Sequence, residues 1–374
     1  MNIGLVVYGD LEQTSGGYRY DRKLVSALEA RGDGVDVISI PRRSSLRNLA
    51  DGFSRSLRTR LDQPYDVLVQ DELCHPSLVF LNSRLERPNS IVSIVHSLRS
   101  AGANGIRAPL SRTIERRYLE SVNAAVCTSR DTRDRTVALA NLPATVAPPG
   151  GRVEGAGVPT ARVSRRATNA ADPLRVTFIG NVIRRKRARA VVSALGRADC
   201  EWRLTVVGSL EEEPAYARSV VAEVRDCGVE DRVTFTGRVT DSELECVLER
   251  SHVLAVPARY EGFGMVHLEA MEYGVVPIAG TVGGADEFVD HGRNGYLVDP
   301  SRPSAITAIV EHLEADRNRL TALGVAALET AVKHPPWAET MTRVRSFLIE
   351  RASDSDRSEP GSAPRSTLES ESSP

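Results

Sequence analysis

The chain has 374 residues, a length that favours two domains, and its hydrophobic fraction of 41% is enough to form real cores. Its formal net charge of −1 gives no reason to expect nucleic acid as a partner. The five cysteines match no zinc spacing, and their odd number indicates reduced thiols. No secretion signal and no run of about 20 apolar residues is visible. We therefore expect a cytoplasmic protein that is soluble or attached to a surface.

Strand-like and helical segments alternate through the first part of the chain. Residues 2–8 form a short apolar run typical of a buried parallel strand, and a glycine-containing loop leads from it into a helical pattern. Repeated units of this kind specify a doubly wound parallel sheet with its ligand crevice at the carboxyl ends of the strands. Further strands are expected at 35–40, 66–70, 90–95, 124–128 and 144–147, with helices at 46–61, 77–85, 110–121 and 131–140.

A segment rich in proline and glycine, residues 151–173, shows no sustained periodicity and is predicted to be an irregular linker. It separates a first domain, 1–150, from a second domain, 174–334, in which the same alternation resumes. Two consecutive prolines then precede a terminal helix at 337–351. The tail, 352–374, consists of serine, proline and charged residues with almost no apolar ones, which predicts disorder.

The chemistry is concentrated in residues 260–280. Glu261 precedes a glycine-containing turn, and Glu269 lies eight residues later in the short helix that follows the turn. Unpaired amide groups and the dipole at such a helix start form a place for phosphate oxygens. Carboxylates on either side suit hydroxyl groups, so a nucleotide sugar would match the layout. An ordinary helix with a capping acid and a solvated glutamate is the alternative interpretation.

The segment Glu-Gly-Phe-Gly-Met-Val-His-Leu-Glu at 261–269 resembles the E-x7-E signature of retaining glycosyltransferases with the GT-B fold, of the family 4 type. The resemblance implies an α/β protein of two Rossmann-like, doubly wound parallel-sheet domains that face a central cleft. It also implies that Glu261 meets the donor sugar and that Glu269 holds the ribose. The backbone expected to hold the diphosphate comprises Gly262, Phe263, Gly264, Met265 and Val266.

The resemblance also implies roles for a glycine pair and a histidine of the first domain and for the terminal helix. The family places a glycine pair against the donor phosphate, and Gly16 and Gly17 match it. His96 follows a predicted strand and matches the histidine that faces the donor sugar in the family. The terminal helix of GT-B proteins usually crosses back to the first domain, and residues 337–351 are placed to do so.

A cationic turn opens the second domain. Lys186 matches the family lysine that grips the donor diphosphate, after Gly180, whereas Asn181 stands where the family most often has an arginine. Asparagine supplies a hydrogen bond but no charge. Arg184 or Arg185 is the candidate for the missing cation, and a solvated basic turn is the alternative.

Two further pairs of residues lie at predicted strand ends. Arg238 and Val239 follow a strand of the second domain, where a nucleotide base could be held. Asp71 and Glu72 could bind or deprotonate an acceptor, or they could cap the helix that follows them.

Residues 41–120 contain 13 arginines against 8 acids. This excess could contact anionic lipid headgroups at the inner face of the cell membrane, or it could be a solvated face. Arginine is abundant throughout the chain, which weakens either interpretation.

The predicted activity is therefore transfer of a sugar, with retained configuration, from a UDP- or GDP-linked donor to a hydroxyl acceptor that is a glycan, a lipid or a small molecule. No cofactor and no metal are expected, because the cations and the helix start would take the role that a metal has in other transferases. The alternatives are a sugar-nucleotide 2-epimerase or phosphorylase of the same fold, a dinucleotide-dependent oxidoreductase, and a non-catalytic nucleotide-sugar-binding protein. No G-x-G-x-x-G follows the first strand, which argues against the oxidoreductase.

Overall fold

The computed structural model describes residues 1–43, 45–102, 107–152, 157–169 and 172–354. Its strands form two separate sheets of six, one from each half of the chain, and all neighbouring strands are parallel. The predicted α/β class with two doubly wound parallel sheets is confirmed. Among the described residues, no helix is both long enough and apolar enough to cross a membrane.

The first sheet has the strand order β2-β1-β3-β4-β5-β6. Its strands are connected by helical crossovers, so neighbouring strands of the sheet run parallel. The strands are β1 Asn2–Tyr8, β2 Gly34–Ile40, β3 Val67–Asp71, β4 Ile91–Val95, β5 Ala124–Cys127 and β6 Ala144–Val146, and the helices are α1 Gly16–Glu29, α2 Ser45–Asp51, α3 Arg55–Leu61, α4 His75–Leu78, α5 Arg99–Gly102, α6 Arg107–Leu119 and α7 Arg130–Leu139.

Two helix predictions in this half are wrong in extent. The single helix expected at 46–61 is divided into α2 and α3, because Ser54 adopts an extended conformation and caps α3 by accepting a hydrogen bond from the amide of Leu57. The helix expected at 77–85 is the short α4 followed by a separate 3-10 turn at Asn82–Arg84.

The second sheet has the order β12-β11-β10-β7-β8-β9. Its core is a large cluster of buried apolar side chains from strands and covering helices, and a smaller cluster lies beside α12. The strands are β7 Leu174–Ile179, β8 Trp202–Val207, β9 Val233–Gly237, β10 Val253–Val256, β11 Val276–Gly280 and β12 Tyr296–Val298, and the helices are α8 Thr160–Thr168, α9 Ala188–Leu195, α10 Pro214–Asp226, α11 Asp241–Arg250, α12 Met265–Met271, α13 Ser304–Ala315, α14 Arg317–Lys333 and α15 Trp337–Asp354.

Residues 160–168 of the predicted linker form a helix, α8, which the lack of sustained periodicity did not indicate. Val163 and Ala167 are buried one turn apart, and Val163 packs where α14 and Gly274 approach each other. The helix was hidden in the sequence because its apolar face is only two residues long and proline- and glycine-rich segments flank it. Its stability therefore comes from tertiary packing.

The last helix returns to the first sheet. Trp337, Met341, Val344 and Leu348 belong to the same buried cluster as residues of β1 and α1, and Arg345 forms an ion pair with Asp33 at 2.6 Å. The helix continues to Asp354, so residues 352–354 of the predicted tail are helical. The remainder of that tail, 355–374, lies outside the described residues.

Candidate functional site

The start of α12 is built by glycine conformations. Gly264 immediately precedes the helix with φ of 90°, a left-handed conformation that glycine adopts without strain. Within the described part of the chain, no side chain caps this helix end. The segment before it is fixed by an amide of Gly284 that donates to the carbonyl of Glu261 at 3.0 Å. The first-turn amides of α12 are thus presented without a competing cap.

Glu261 meets two cations from the turn that follows β7. Arg185 Nη1 lies 3.0 Å from Glu261 Oε2, and Lys186 Nζ lies 3.6 Å from Glu261 Oε1. Burial would raise the pKa of the Glu261 carboxyl, but Arg185 and Lys186 outweigh burial and hold it at about 2. The carboxylate is therefore ionised at every physiological pH. The structure brings these three predicted site residues together.

Lys186 reaches this position by passing over Gly180. A methyl group at Gly180 would overlap with the Lys186 ammonium, and Gly180 has φ of 130°. Arg184 points the other way, because its guanidinium lies 5.7 Å from the centre of the Tyr216 ring and its side chain is 75% exposed. Of the two candidates for the cation missing at Asn181, only Arg185 is at the carboxylate.

Of the glycine pair in the first domain, Gly16 faces the second domain and Gly17 faces His96 of its own domain. Ser15 caps α1, and the Cβ of an alanine at Gly16 would lie 2.9 Å from Met265 Sδ. At Gly17 the corresponding Cβ would lie 3.2 Å from the His96 ring. The starts of α1 and α12 therefore face each other, as the resemblance implies for residues that share one ligand.

The two domains also touch at Gly262. A methyl group there would overlap with the carbonyl oxygen of His96, and Thr132 donates its hydroxyl to the Gly262 carbonyl at 3.1 Å. Phe263 stacks on Phe288 with ring centres 4.9 Å apart, so its side chain serves packing. The apolar side chain of Val266 likewise packs on the core of the second sheet.

His96 lies between two buried carboxylates. Its Nε2 is 3.3 Å from Asp21 Oδ1 and 4.0 Å from Asp71 Oδ1. Burial would lower the pKa of His96, but the two carboxylates raise it to about 9. Burial and Asp21 raise the pKa of Asp71 above its usual range. Asp21 is therefore the carboxylate that chiefly keeps the imidazole protonated at neutral pH, where it can donate hydrogen bonds.

Of the two roles predicted for Asp71 and Glu72, the structure shows a helix cap at Asp71. Asp71 accepts a hydrogen bond from the amide of Leu73 at 2.9 Å, which is a cap, and it also lies beside His96. Glu72 is 1% exposed, and neither of its carboxylate oxygens has a hydrogen-bond partner among the described residues. The acceptor role of this pair stays a prediction.

The second signature acid, Glu269, is held by arginines that the sequence did not single out. Arg19 of α1 pairs with Glu269 Oε1 at 2.7 Å, and Arg152 lies 3.7 Å from Glu269 Oε2 while pairing with Asp241 at 2.9 Å. The chain has 45 arginines, since 48 Lys and Arg residues include only three lysines. In such a sequence nothing marks these two. Asp21 was missed as well, although it lies four residues after Gly17.

The pair proposed for the nucleotide base is more peripheral. Arg238 is 62% exposed and pairs with Glu212 at 3.0 Å. Val239 packs against the core of the second sheet. Both follow the carboxyl end of β9, and the structure adds no contact between them and the signature glutamates within the described residues.

The model of the protein family described as "Glycosyl transferases group 1" matches residues 161–330 of the chain. Over 255 residues the chain is 31% identical to the GDP-mannose-dependent alpha-(1-6)-phosphatidylinositol monomannoside mannosyltransferase of Mycobacterium tuberculosis. Residues 161–330, just under half of the chain, are thus similar to the group 1 glycosyl transferases. The aligned part spans 64% of this chain and 65% of that relative's length, which is less than two thirds of either. The family match begins within α8, whose Ala167 packs in the core of the second sheet.

Solved structures agree on the fold. Sucrose-phosphate synthase from Thermosynechococcus elongatus superimposes with a TM-score of 0.80 at 21% identity, covering 94% of this chain and 99% of that one. HepE from Anabaena, solved in complex with UDP-glucose, gives a TM-score of 0.75 at 16% identity and covers 94% and 100%. The chain therefore has the GT-B fold that the resemblance implied.

Proposed function

We propose that the protein is a retaining glycosyltransferase that moves a sugar from a nucleotide-sugar donor to a hydroxyl acceptor without a metal ion. The observation that supports the proposal is the contact of Arg185 and Lys186 with the Glu261 carboxylate. Two cations from one turn of the second domain converge on this carboxylate beside the uncapped start of α12. Charged groups of both signs are thus preorganised around one small volume, which suits a sugar joined to a diphosphate.

Departure of the nucleoside diphosphate creates negative charge, and stabilising it is the largest task of such an enzyme. In our proposal Lys186, Arg185 and the first-turn amides of α12 share that charge. Glu261 would then accept hydrogen bonds from the donor sugar hydroxyls, since its low pKa keeps it an acceptor. Glu269 would hold the ribose after exchanging its contact with Arg19.

His96 has a donor role in this proposal. A pKa of about 9 leaves it protonated at neutral pH, so it is unsuited to remove a proton from the acceptor. It can donate a hydrogen bond to the sugar at the junction between the domains. Deprotonation of the acceptor would then fall to the departing phosphate, which is consistent with transfer on the same face and retained configuration.

The donor is proposed to carry UDP or GDP. The name of the mycobacterial relative specifies GDP-mannose, and HepE was solved with UDP-glucose. A thermal-shift screen against UDP-, GDP-, ADP- and TDP-linked sugars tests this, because a ligand that binds only the folded state raises the melting temperature. No shift with any of them would contradict a nucleotide-sugar site.

Product analysis separates transfer from its rivals. Incubation with donor alone should leave the sugar unconverted apart from slow hydrolysis, and addition of a hydroxyl acceptor should give a glycoside with the donor's anomeric configuration. Conversion of the nucleotide sugar without acceptor would indicate a 2-epimerase. Binding without turnover under every acceptor condition would indicate a nucleotide-sugar-binding protein.

Metal independence has a direct test. Asp21, Asp71 and His96 offer ligand atoms within 4.8 Å of one another, a set that could hold a cation. His96 Nε2 lies 3.3 Å from Asp21 Oδ1, a hydrogen-bond distance that suits direct contact between the two side chains. We expect full transfer in excess chelator. Loss of activity that magnesium or manganese restores would refute the metal-free mechanism.

The acceptor is proposed to be lipid-linked, with the protein working in the cytoplasm at the inner face of the membrane. The supporting observation is an aromatic patch on the first domain. Phe53 is 62% exposed and stacks on Phe80, while Arg84 and Arg117 each lie 5.1 Å from one of the two ring centres. Exposed aromatic rings flanked by arginines suit a surface of anionic lipid. Phe53→Ser should weaken co-sedimentation with phosphatidylglycerol vesicles, and unchanged binding would contradict this surface.

A further inference from the structure

A groove on the outer face of the second domain is lined mainly by arginine side chains. It has a volume of about 430 Å³ and follows α9 between α10 and the start of α13. We name it the arginine groove and define it by the five arginines of its wall, Arg184, Arg187, Arg189, Arg197 and Arg259. One glutamate, Glu223, also lines it, so five positive charges and one negative give a net lining charge of +4.

Several of these side chains are held in place by the protein. Arg187 has φ of 65° and is the one non-glycine residue with positive φ among the described residues. Its Nη2 donates to the carbonyl of Pro300 at 2.6 Å, and its Nε is buried without a hydrogen-bond partner in the described part of the chain. Such a backbone conformation costs about 1–3 kcal/mol and persists where the surroundings enforce it.

The neighbouring guanidinium groups are oriented as well. Arg189 donates to Glu223 at 2.7 Å, and Arg184 lies over the ring of Tyr216. Arg189 lies in α9, Arg197 follows the end of that helix, and both line the groove. The general arginine content of the chain does not explain this convergence, because Arg218 and Arg225 on the adjacent α10 are exposed and stay outside the groove.

We propose that the arginine groove binds a small ligand that carries at least two phosphate groups. Guanidinium groups form paired hydrogen bonds with phosphate oxygens and keep their charge at any pH. A volume of about 430 Å³ lies within the usual range of small-molecule sites, about 300–1,000 Å³.

The groove is separate from the donor cleft. The turn Arg184–Lys186 divides the two, because its lysine faces Glu261 while its first arginine faces the groove. The proposal does not depend on the transferase activity.

Calorimetric titration of the full chain with inorganic pyrophosphate tests the groove. All variants carry Lys186→Ala to weaken pyrophosphate binding in the donor cleft. The groove variant is Arg189→Gln with Arg197→Gln, in which glutamine preserves a hydrogen-bond donor for Glu223. The matched control is Arg218→Gln with Arg225→Gln, which removes the same charge from α10. Circular dichroism melts show whether each variant folds.

We expect the groove variant to lose about tenfold in pyrophosphate affinity, the scale of one charged hydrogen bond, and the control to lose less than about twofold. Equal affinities in the two double variants would overturn the proposal, since the attraction would then be general electrostatics. Co-sedimentation of both variants with phosphatidylcholine vesicles, with and without cardiolipin, which carries two phosphate groups, distinguishes a lipid from a free ligand. A selective loss of cardiolipin binding in the groove variant indicates a lipid headgroup, and loss of pyrophosphate binding alone indicates a free organic phosphate.

Discussion

Replacement of Lys186 by alanine should separate catalysis from folding. The ammonium group lies 3.6 Å from Glu261 Oε1, and Arg185 lies closer to the other oxygen, at 3.0 Å. The fall in the pKa of Glu261 from 4.5 to about 2 means that the folded protein stabilises the ionised carboxylate over the neutral acid by about 3 kcal/mol. Because Arg185 remains in the variant and is the nearer cation, the share lost with Lys186 is about 1 kcal/mol.

The expected loss of activity is larger than that loss of stability. Removing one group that stabilises the charge of a transition state typically lowers the rate by about 10²–10³. A loss of about 1 kcal/mol lowers the melting temperature of a chain of this size by only a few degrees. The variant should therefore be folded and almost inactive at 25 °C.

The assay is the initial rate of sugar transfer, measured beside a thermal melt of the same preparation. Lys333→Ala, an exposed lysine on α14, is the matched control and should keep full activity. Lys186→Arg should not restore the full rate, because the larger guanidinium must pass over Gly180, where the lysine already fits closely. Near-normal transfer by folded Lys186→Ala would refute the diphosphate role.

Two further substitutions and one change of pH probe the same site. Gly180→Ala should abolish most transfer and lower the free energy of unfolding by about 1–3 kcal/mol, because φ of 130° strains alanine and the methyl group overlaps with the lysine ammonium. The control Gly292→Ala, with φ of 74° and open space around it, should be strained yet active. Equal activities of the two variants would contradict the role of the Lys186 contact with Glu261. Arg19→Ala removes the 2.7 Å ion pair with Glu269 and should lower the free energy of unfolding by about 1 kcal/mol. An unchanged midpoint in a urea titration would show that the pair does not contribute to stability. The pKa of His96 is raised from 6.5 to about 9, so its stabilisation is complete below pH 6.5 and lost as pH rises through 9. The melting temperature should fall across that range, and an equally steep fall in His96→Gln would assign the effect to another group.

The sequence predicted those parts of the structure that depend on local pattern. Buried apolar runs such as Asn2–Tyr8 specified strands, and their alternation with helices specified two parallel sheets. The left-handed start of α12 could be anticipated because Gly264 stands directly before the helical run. The meeting of Lys186 with Glu261 followed from family resemblance, since the two are 75 residues apart and no local pattern joins them.

Contacts between the two domains could not be predicted in the same way. Arg19 and Glu269 are 250 residues apart, and both would pass as solvated side chains on helix surfaces. The helix α8 was missed for a related reason, because its two buried residues are meaningful only when α14 packs on them. The break at Ser54 was a missed local signal, since serine before a helical run is a strong start signal.

The ion pair between Arg19 and Glu269 joins the two domains through a residue that is proposed to bind the donor. If Glu269 holds the ribose, the donor and Arg19 compete for hydrogen bonds to the same carboxylate. On the proposed function the donor sugar lies at this junction, where the domains touch at Gly262 without room for a methyl group. We therefore propose that donor entry requires the domains to separate and Arg19 to release Glu269. A donor that reforms contacts with both domains would replace the lost ion pair, so nucleotide-sugar binding and domain closure should occur together.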